Sequence, residues 1–225
     1  MGGGHDRHRP GATGQAQAGD TGGMAKGSGT MRRVCVFAGS SVGARPVYTE
    51  AARALGVALA ARGIGIVYGG GGVGLMGVLS DAALGDGGEV IGVIPRPLAT
   101  KELTHARLTE LHVVETMHQR KALMADLADG FIALPGGLGT FDELFEMLTW
   151  SQLGIHVKPV ALLDVGEYYA SLRSLVRHAV AEGFIPAWNA DVLTASDVDT
   201  LIDAMLAYQP PEHPGKIAWI TGDQR

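Results

Sequence analysis

One segment of the sequence combines three glycines with a carboxylate and offers the clearest chemistry. Residues 135–143, PGGLGTFDE, follow a short apolar run and open a long helical segment. Glycines let the backbone approach a ligand closely, and a helix beginning near Thr140 would direct its free amides and positive dipole end toward the same point. These features predict a phosphate site with the carboxylate of Glu143 beside it, and hence chemistry on a phosphorylated small molecule.

The same residues also allow a purely structural interpretation. Thr140 followed three residues later by Glu143 is the pattern of a capping box, in which the two residues satisfy helix amides without a ligand. Each of the preceding glycines costs roughly 1 kcal/mol in chain entropy relative to alanine, and a capping box needs none of them. The glycines therefore favour the phosphate site.

A second glycine cluster, residues 69–77 (GGGGVGLMG), also lies between a predicted strand and a predicted helix. It fits the dinucleotide pattern G-x-G-x-x-G, but the next strand ends in Pro95-Arg96 rather than in the acidic residue that would hold a ribose, and no Lys-Ser/Thr pair follows the glycines. A nicotinamide-dependent oxidoreductase is therefore disfavoured. We interpret the cluster as part of a secondary nucleotide cradle, which comprises Gly39, Ser40, Gly70, Gly71, Gly72 and Gly74.

Two adjacent cations, Arg120 and Lys121, stand in the first turns of a predicted helix over residues 117–127. Positive charge at that end of a helix is unfavourable by roughly 0.3–1 kcal/mol, so a compensating anion is expected. Either Glu115 balances a solvated pair, or Arg120 reaches across to a phosphate or a developing charge, for which its fork of donors is suited. The sequence leaves both interpretations open.

Composition and charge restrict the class of protein. The chain has 225 residues, 46% of them hydrophobic, which is enough for one large α/β domain. The formal net charge of −5 disfavours a nucleic acid polymer as partner. Glycines interrupt the uncharged stretch 63–80, so no membrane segment is predicted.

The single cysteine, Cys35, lies in an apolar run, which fits a reducing compartment and predicts a cytoplasmic protein. No metal site is predicted, because metal-ligand spacing is lacking among the histidines, namely His105, His112, His118 and His156.

Short β-branched runs alternate with helical segments from residue 33 onward. This alternation predicts a single domain of Rossmann-like α/β fold, a doubly wound parallel sheet with ligands at the carboxyl ends of its strands. Strands are predicted at residues 34–38, 64–68, 90–94, 111–114, 131–134, 160–163 and 191–194, and helices at 47–62, from the second glycine cluster to 84, and at 117–127, 141–153, 168–182 and 197–206. The domain spans residues 31–207, between a Gly-rich N-terminal tail (1–30) predicted to be disordered and an irregular C-terminal tail (208–225).

The predicted helix 141–153 carries apolar side chains around most of its circumference. Such a helix is expected to be buried on almost all sides. It occupies either a central packing position or, as we favour, a subunit interface. The apolar residues are Leu144, Phe145, Met147, Leu148, Trp150 and Leu153.

These motifs together resemble the Lonely Guy family of cytokinin-activating phosphoribohydrolases, long labelled lysine decarboxylases. PGGLGTFDE matches the family pattern PGGxGTxxE and MHQRKA matches its Arg-Lys motif; the similarity extends from about residue 33 to about 207 and includes FAGSS, YGGGGVGLMG, VIPRPL and LTWSQLGIH. The resemblance implies a hydrolase that cleaves the N-glycosidic bond of N6-modified or plain adenosine 5′-monophosphates and releases the free base, a cytokinin, and ribose 5-phosphate. It also implies a homodimer. No cofactor is predicted, because the second glycine cluster lacks the other features of a dinucleotide site.

By the same resemblance, Arg120 and Glu143 are the catalytic pair. A carboxylate suits this reaction because it can stabilise oxocarbenium character on the ribose and orient a water molecule. Molybdenum cofactor carrier proteins are similar in fold, so a non-catalytic carrier of a nucleotide or pterin is the alternative function. The implied substrate contacts are Glu102, Arg120, Lys121, Gly136, Gly137, Leu138, Gly139, Thr140, Phe141, Asp142, Glu143 and Thr149.

Overall fold

In the computed structural model, which describes residues 1, 31–100, 104–186 and 192–210, the chain forms one parallel sheet covered by helices. The strands are β1 (Arg33–Phe37), β2 (Gly65–Tyr68), β3 (Val90–Pro95), β4 (Glu110–Val114), β5 (Gly130–Ala133), β6 (Val160–Leu163) and β7 (Leu193–Ala195). The helices are α1 (Pro46–Ala61), α2 (Gly74–Gly85), α3 (Met117–Leu127), α4 (Leu138–Leu153), α5 (Ala170–Ala181) and α6 (Val198–Leu206). Short 3-10 turns lie at Arg96–Leu98 and Val165–Glu167.

The strand order is β4-β3-β2-β1-β5-β6-β7, and every neighbouring pair is parallel. The predicted Rossmann-like α/β fold is therefore confirmed. Both predicted tails fall outside the described residues except for residues 1 and 208–210, as do Glu102 and the first residue of the last predicted strand, Asp191.

The strands supply side chains to two cores because successive residues of a strand point to opposite faces of the sheet. Val34 and Val36 of β1 pack with Ile66 under α1, α2 and α6. On the opposite face, Cys35 and Phe37 pack under α3, α4 and α5. Strands buried on both faces need continuous apolar runs, which is what the sequence supplies.

The centre of the sheet is the point at which strand order reverses. Chain connections from β1 lead to one side of the sheet and those from β5 lead to the other, so the loops that follow these two adjacent strands diverge and leave a crevice at their carboxyl ends. The loops remain joined at their base, where the amide of Gly39 donates to the carbonyl of Pro135 at 3.1 Å. The fold therefore brings the loop after β1 next to the PGG segment.

Helix α4 is not buried on almost all sides within one chain, contrary to the sequence-based expectation. One face packs on the sheet through Leu144 and Met147, whereas Leu138 and Phe145 are 85% and 40% exposed on another face. A central packing position is thereby excluded for the single chain. The longest helices of the described residues have 16 residues, and none there is both long enough and apolar enough for a membrane span.

Candidate functional site

Helix α4 begins with amide groups that no protein acceptor takes. Its N-cap is Gly137, which has an extended backbone and no side-chain cap, and the amide of Phe141 makes the first helical hydrogen bond, to the carbonyl of Gly137 at 3.1 Å. Among the described residues, the amide hydrogens of residues 136–140 have no protein partner. Consecutive free donors at the positive end of a long helix form a site for an anion such as a phosphate.

The capping box considered for Thr140 and Glu143 does not form, because α4 begins three residues before the predicted start. Thr140 is buried inside the first turn, and the Glu143 carboxylate contacts Arg120. A capping box does form in α3, where the Thr116 hydroxyl accepts from the Gln119 amide and the Gln119 side chain accepts from the Thr116 amide. The start of α3 is therefore capped by side chains, whereas the amides at the start of α4 are left without a protein acceptor.

Arg120 and Glu143 form an ion pair between α3 and α4. The Nη1 atom of Arg120 lies 3.1 Å from Oε1 of Glu143, and only 13% and 10% of the two side chains are exposed. Glu143 lies one helical turn beyond Gly139, so its carboxylate stands close to the free amides. The structure thus brings together a carboxylate, a guanidinium and an anion site.

Backbone groups of β3 and of the residue after β2 surround the Arg120 guanidinium. Its Nε atom donates to the carbonyl of Val93 in β3 at 3.1 Å. Its Nη2 atom lies against Gly69, which follows β2, so closely that a Cβ at that position would overlap it. The glycine at position 69 is therefore what permits the guanidinium to occupy its place.

Burial and charge act in opposite directions on Glu143. Removal from water raises the pKa of its carboxyl group above the ordinary value of 4.5, and the positive charge of Arg120 counteracts that rise. Arg120 therefore favours the ionised carboxylate at a position where burial disfavours it. A buried carboxyl group whose pKa is perturbed in a cleft is typical of a functional site.

Lys121 does not belong to a solvated pair balanced by Glu115. Its ammonium group bridges to α4, at 3.1 Å from Asp142 and 2.9 Å from Glu146, and its side chain is 11% exposed. Glu115 instead binds Arg96 at 2.6 Å. The solvated interpretation is wrong because the fold provides carboxylates on the facing helix.

A cavity of about 270 Å³ lies in the crevice between the loops that follow β1 and β5. This volume is near the lower end of the roughly 300–1,000 Å³ of small-molecule pockets. It joins Gly39 and Ser40 of the predicted secondary cradle to Gly136 and Gly137 of the main motif. The other lining residues are Ser41, Val42, Gly43, Tyr48, Leu75, Pro135 and Tyr168.

The rest of the predicted secondary cradle uses its glycines for packing within the protein. The amides of Leu75 and Met76 at the start of α2 donate to the carbonyl of Gly39, at 2.9 and 3.4 Å. A Cβ at Gly74 would overlap the backbone of Ser40. Gly70 and Gly71 contact residues 104–105, through a hydrogen bond from the His105 amide to Gly70 and a bridge between Gly71 and Thr104, and Gly72 lies against His105.

The remaining predicted contacts are placed differently. Leu138, Gly139 and Asp142 are exposed at or near the start of α4, whereas Phe141 is half-buried. Thr149 is exposed, and its hydroxyl donates to the carbonyl of Phe145 at 2.7 Å. It lies about 14 Å along the helix from Thr140, so the single chain does not bring it to the anion site. Within the described ranges, no group of three His, Cys, Asp or Glu side chains is arranged to hold a metal ion.

A larger cavity, about 410 Å³, lies elsewhere, between α4, α5 and the β6–β7 edge of the sheet. Its walls are mainly aliphatic, and none of its lining residues belongs to the glycine segments or to the Arg120–Glu143 pair. The smaller cavity is favoured because Gly136 and Gly137, at the start of α4, line it. The larger one is lined by Leu148, Leu162, Leu172, Arg173, Val176, Arg177, Val192, Leu193 and Thr194.

Sequence reasoning missed Gly69 as the support of Arg120, and Tyr48 and Tyr168 as walls of the smaller cavity. The position of Tyr168 directly after the loop that follows β6 was an available signal, because ligands bind at the carboxyl ends of parallel strands. No sequence signal separates Gly69 from the other glycines of its cluster.

Comparisons with known proteins show the family to which the chain is similar. Residues 76–205 match the family described as a possible lysine decarboxylase. A cytokinin riboside 5′-monophosphate phosphoribohydrolase from Rhodococcoides fascians is 51% identical over 78% of this chain and 90% of that protein. One from Arabidopsis thaliana is 48% identical over 86% and 91%. The solved molybdenum cofactor binding protein from Rippkaea orientalis has a TM-score of 0.59 and 25% identity, over 78% of this chain and 95% of that one.

Proposed function

Because the chain belongs to the Lonely Guy family of cytokinin riboside 5′-monophosphate phosphoribohydrolases, we propose that it hydrolyses the N-glycosidic bond of adenosine 5′-monophosphates. The products are the free base and ribose 5-phosphate. An N6-modified adenine would make that base a cytokinin. The observation that carries the proposal is the ion pair of Arg120 and Glu143 next to the free amides of residues 136–140.

The 5′-phosphate binds at the start of α4 in this proposal. The free amides donate hydrogen bonds to its oxygens, and the helix dipole favours its negative charge. A phosphate fixed there holds the ribose over the first turn of the helix, where Glu143 stands. Binding energy from the phosphate, which does not react, thus positions the bond that does.

In the proposed reaction, Glu143 acts on the C1′ carbon of the ribose, and Arg120 acts on the Glu143 carboxylate and on the substrate. As the bond between C1′ and the base nitrogen breaks, positive charge develops on the ribose, and the Glu143 carboxylate stabilises it and orients a water molecule toward C1′. The water oxygen bonds to C1′, and its proton leaves with the departing base or to solvent. Arg120 favours the ionised form of the carboxylate and offers its remaining donors to the substrate.

The hydrolase is favoured over a molybdenum cofactor carrier by sequence and by site. Identity to the phosphoribohydrolase from Rhodococcoides fascians is twice the identity to the cofactor-binding protein from Rippkaea orientalis. A carrier also has no need of a mostly buried carboxylate beside its anion site. A purified sample that retained a fluorescent pterin would favour the carrier.

The test of this function is the Glu143→Gln substitution, with Glu146→Gln as the matched control. Glutamine keeps the shape of the side chain but cannot stabilise positive charge, so we expect turnover to fall about 100-fold or more. Glu146 lies one turn further along α4 and pairs with Lys121, so its substitution should change turnover less than about threefold. The assay incubates adenosine 5′-monophosphate and its N6-isopentenyl derivative with each variant and measures the liberated base by chromatography.

Near-normal turnover by a folded Glu143→Gln protein would contradict the catalytic assignment. Absence of base release by the wild-type protein from both nucleotides would overturn the function itself. The ratio of the two wild-type rates gives the preferred base. Circular dichroism of each variant verifies that the fold is retained.

We also propose a homodimer in which α4 lies at the interface. Phe145 and Thr149 share one exposed face of α4, and the segment after it exposes Ile155 and Val157 by 59% and 56%. Pairing of this face would bury these side chains and would let Thr149 reach the site of a second copy. Light scattering should give twice the 23.4 kDa mass of one chain, and a monomeric mass would contradict the proposal.

A further inference from the structure

The turn that follows β6 holds two consecutive residues in the left-handed backbone region. Gly166 has φ of 62° and Glu167 has φ of 59°. Glycine adopts this region freely, but a glutamate there costs of order 1 kcal/mol. Among the described residues, Glu167 is the non-glycine residue with this conformation. Such strain persists only where the surrounding structure requires it. The residue that directly follows this strained turn is Tyr168.

The hydroxyl group of Tyr168 donates a hydrogen bond to the carbonyl oxygen of Gly136. A trans peptide plane directs its C=O and N–H in opposite directions, so this contact fixes the direction of the Gly137 amide as well. That amide is one of the five free donors at the start of α4. The tyrosine therefore controls the orientation of the Gly136–Gly137 peptide plane within the anion site.

Aromatic neighbours fix the ring of Tyr168 from two sides. Phe141 of the first turn of α4 stacks on it, with centroids 6.5 Å apart and an interplanar angle of 22°. Tyr48 of α1 meets it edge to face at 5.8 Å. Arg45 lies over the Tyr48 ring at 5.6 Å and donates to the Gly166 carbonyl at 3.0 Å. These contacts tie the strained turn to the cavity wall.

We propose that Tyr168 is a positioning residue that sets the affinity of the anion site for the phosphate of the substrate. The inference rests on the proposed function for the identity of the phosphorylated ligand. Tyr168 acts through Gly136 on the free amides and makes no contribution to the breaking of the glycosidic bond. Its loss should weaken phosphate recognition while the site for the base is unchanged.

Tyr169 provides a matched control in the adjacent position. Its hydroxyl donates to the carbonyl of Leu134 at 2.6 Å, two residues before Gly136, but it is completely buried and does not line the cavity. Tyr169→Phe therefore removes a hydrogen bond of the same chemistry from the same segment. We expect this change to lower the melting temperature and to leave ligand affinity unchanged.

The experiment compares wild-type, Tyr168→Phe and Tyr169→Phe proteins by calorimetric titration with ribose 5-phosphate and, separately, with adenine. Phenylalanine retains the ring contacts of Tyr168, so the fold is kept. Loss of one hydrogen bond to the anion loop should raise the Kd for ribose 5-phosphate about three- to tenfold in Tyr168→Phe. The Kd for adenine should stay within about twofold.

Unchanged affinity for ribose 5-phosphate in Tyr168→Phe would overturn the inference, as would equal weakening of both ligands or the same weakening in Tyr169→Phe. Base release from adenosine 5′-monophosphate, measured on the same wild-type sample, separates this inference from the function. Selective weakening without wild-type base release would support the positioning role and reject the hydrolase. Failure of the wild-type protein to bind ribose 5-phosphate would overturn the positioning role directly.

Discussion

The two glycine clusters, residues 69–77 and the PGGLG segment before α4, both follow parallel strands and precede helices, yet their glycines have different structural roles. In the cluster before α2, the helix amides of Leu75 and Met76 are taken by the Gly39 carbonyl, and Gly74 packs against neighbouring backbone. In the cluster before α4, the amides have no protein acceptor, and a Cβ at Gly137 or Gly139 would meet no atom within 4 Å. The glycines before α2 permit close packing, and those before α4 leave donors and space for a ligand.

The difference shows that a glycine pattern does not by itself establish an anion site. Glycine permits close approach whether the approaching group is a ligand or another part of the chain. What distinguishes the two cases is whether the helix amides already have acceptors. That depends on a carbonyl from the loop after another strand, here that of Gly39 after β1, which the local sequence does not reveal.

Gly69→Ala gives the largest effect expected from the cluster before α2. A Cβ at this position would overlap the Arg120 Nη2 atom, which is the end of a flexible side chain, so the guanidinium should move while the fold is retained. Loss of its contact with Glu143 should reduce turnover about 100-fold, the scale of one lost electrostatic contact. Steady-state kinetics and a melting curve measure the two expectations. Normal turnover with a normal melting temperature would show that the position of Arg120 is not critical.

Secondary structure was predicted well wherever local chemistry marks the boundaries. The bounds of α3 were predicted correctly at residues 117–127, since Thr116 and Gln119 cap its start, and β6 was predicted correctly at 160–163 after Pro159. The start of α4 was predicted three residues too late. Gly137 and Gly139 have low helix propensity, and the tertiary packing of Thr140 and Leu144 extends the helix over that preference.

Partners from distant parts of the chain could not be predicted from spacing. Lys121 pairs with Asp142 and Glu146 because α3 and α4 pack on the same face of the sheet. The pairing of Arg120 with Glu143 was expected only from resemblance to a family. No periodicity specifies such contacts, because they depend on how two helices are placed by separate strands.

The pH dependence of turnover provides a second comparison, since the acidic residues of the two helices differ in burial. Asp81 of α2 is 54% exposed, whereas Glu143 of α4 is mostly buried and its pKa lies above 4.5. If the ionised carboxylate is the active form, turnover should fall as the pH is lowered through the pKa of Glu143, which lies above 4.5. Below that pKa, the fall should be tenfold per pH unit. A rate that stays constant down to pH 4.5 would exclude this role for Glu143.

The same shift predicts the sign of a stability effect. The folded protein binds the Glu143 proton more tightly than the unfolded chain, so the stabilisation from that proton is complete below the unfolded pKa and is lost as pH rises through the raised folded pKa. Glu143→Gln cannot ionise. Its melting temperature should therefore rise relative to the wild-type value as pH increases through this window, and a constant difference would contradict the raised pKa.

The smallest predicted effect tests the comparison most directly, with one alanine in each glycine cluster. A Cβ at Gly137 meets nothing in the protein and would occupy the open space before the free amides, so Gly137→Ala should raise the KM for the nucleotide about three- to tenfold. Gly72→Ala is the control, because its Cβ would lie 3.4 Å from His105 in ordinary contact. Alanine at an N-cap costs at most about 1 kcal/mol relative to glycine, so both proteins should stay folded. An increase in KM for Gly72→Ala but not for Gly137→Ala would reverse the roles of the two clusters. The phosphate would then lie against the glycines before α2, which the structure shows packed on their own chain.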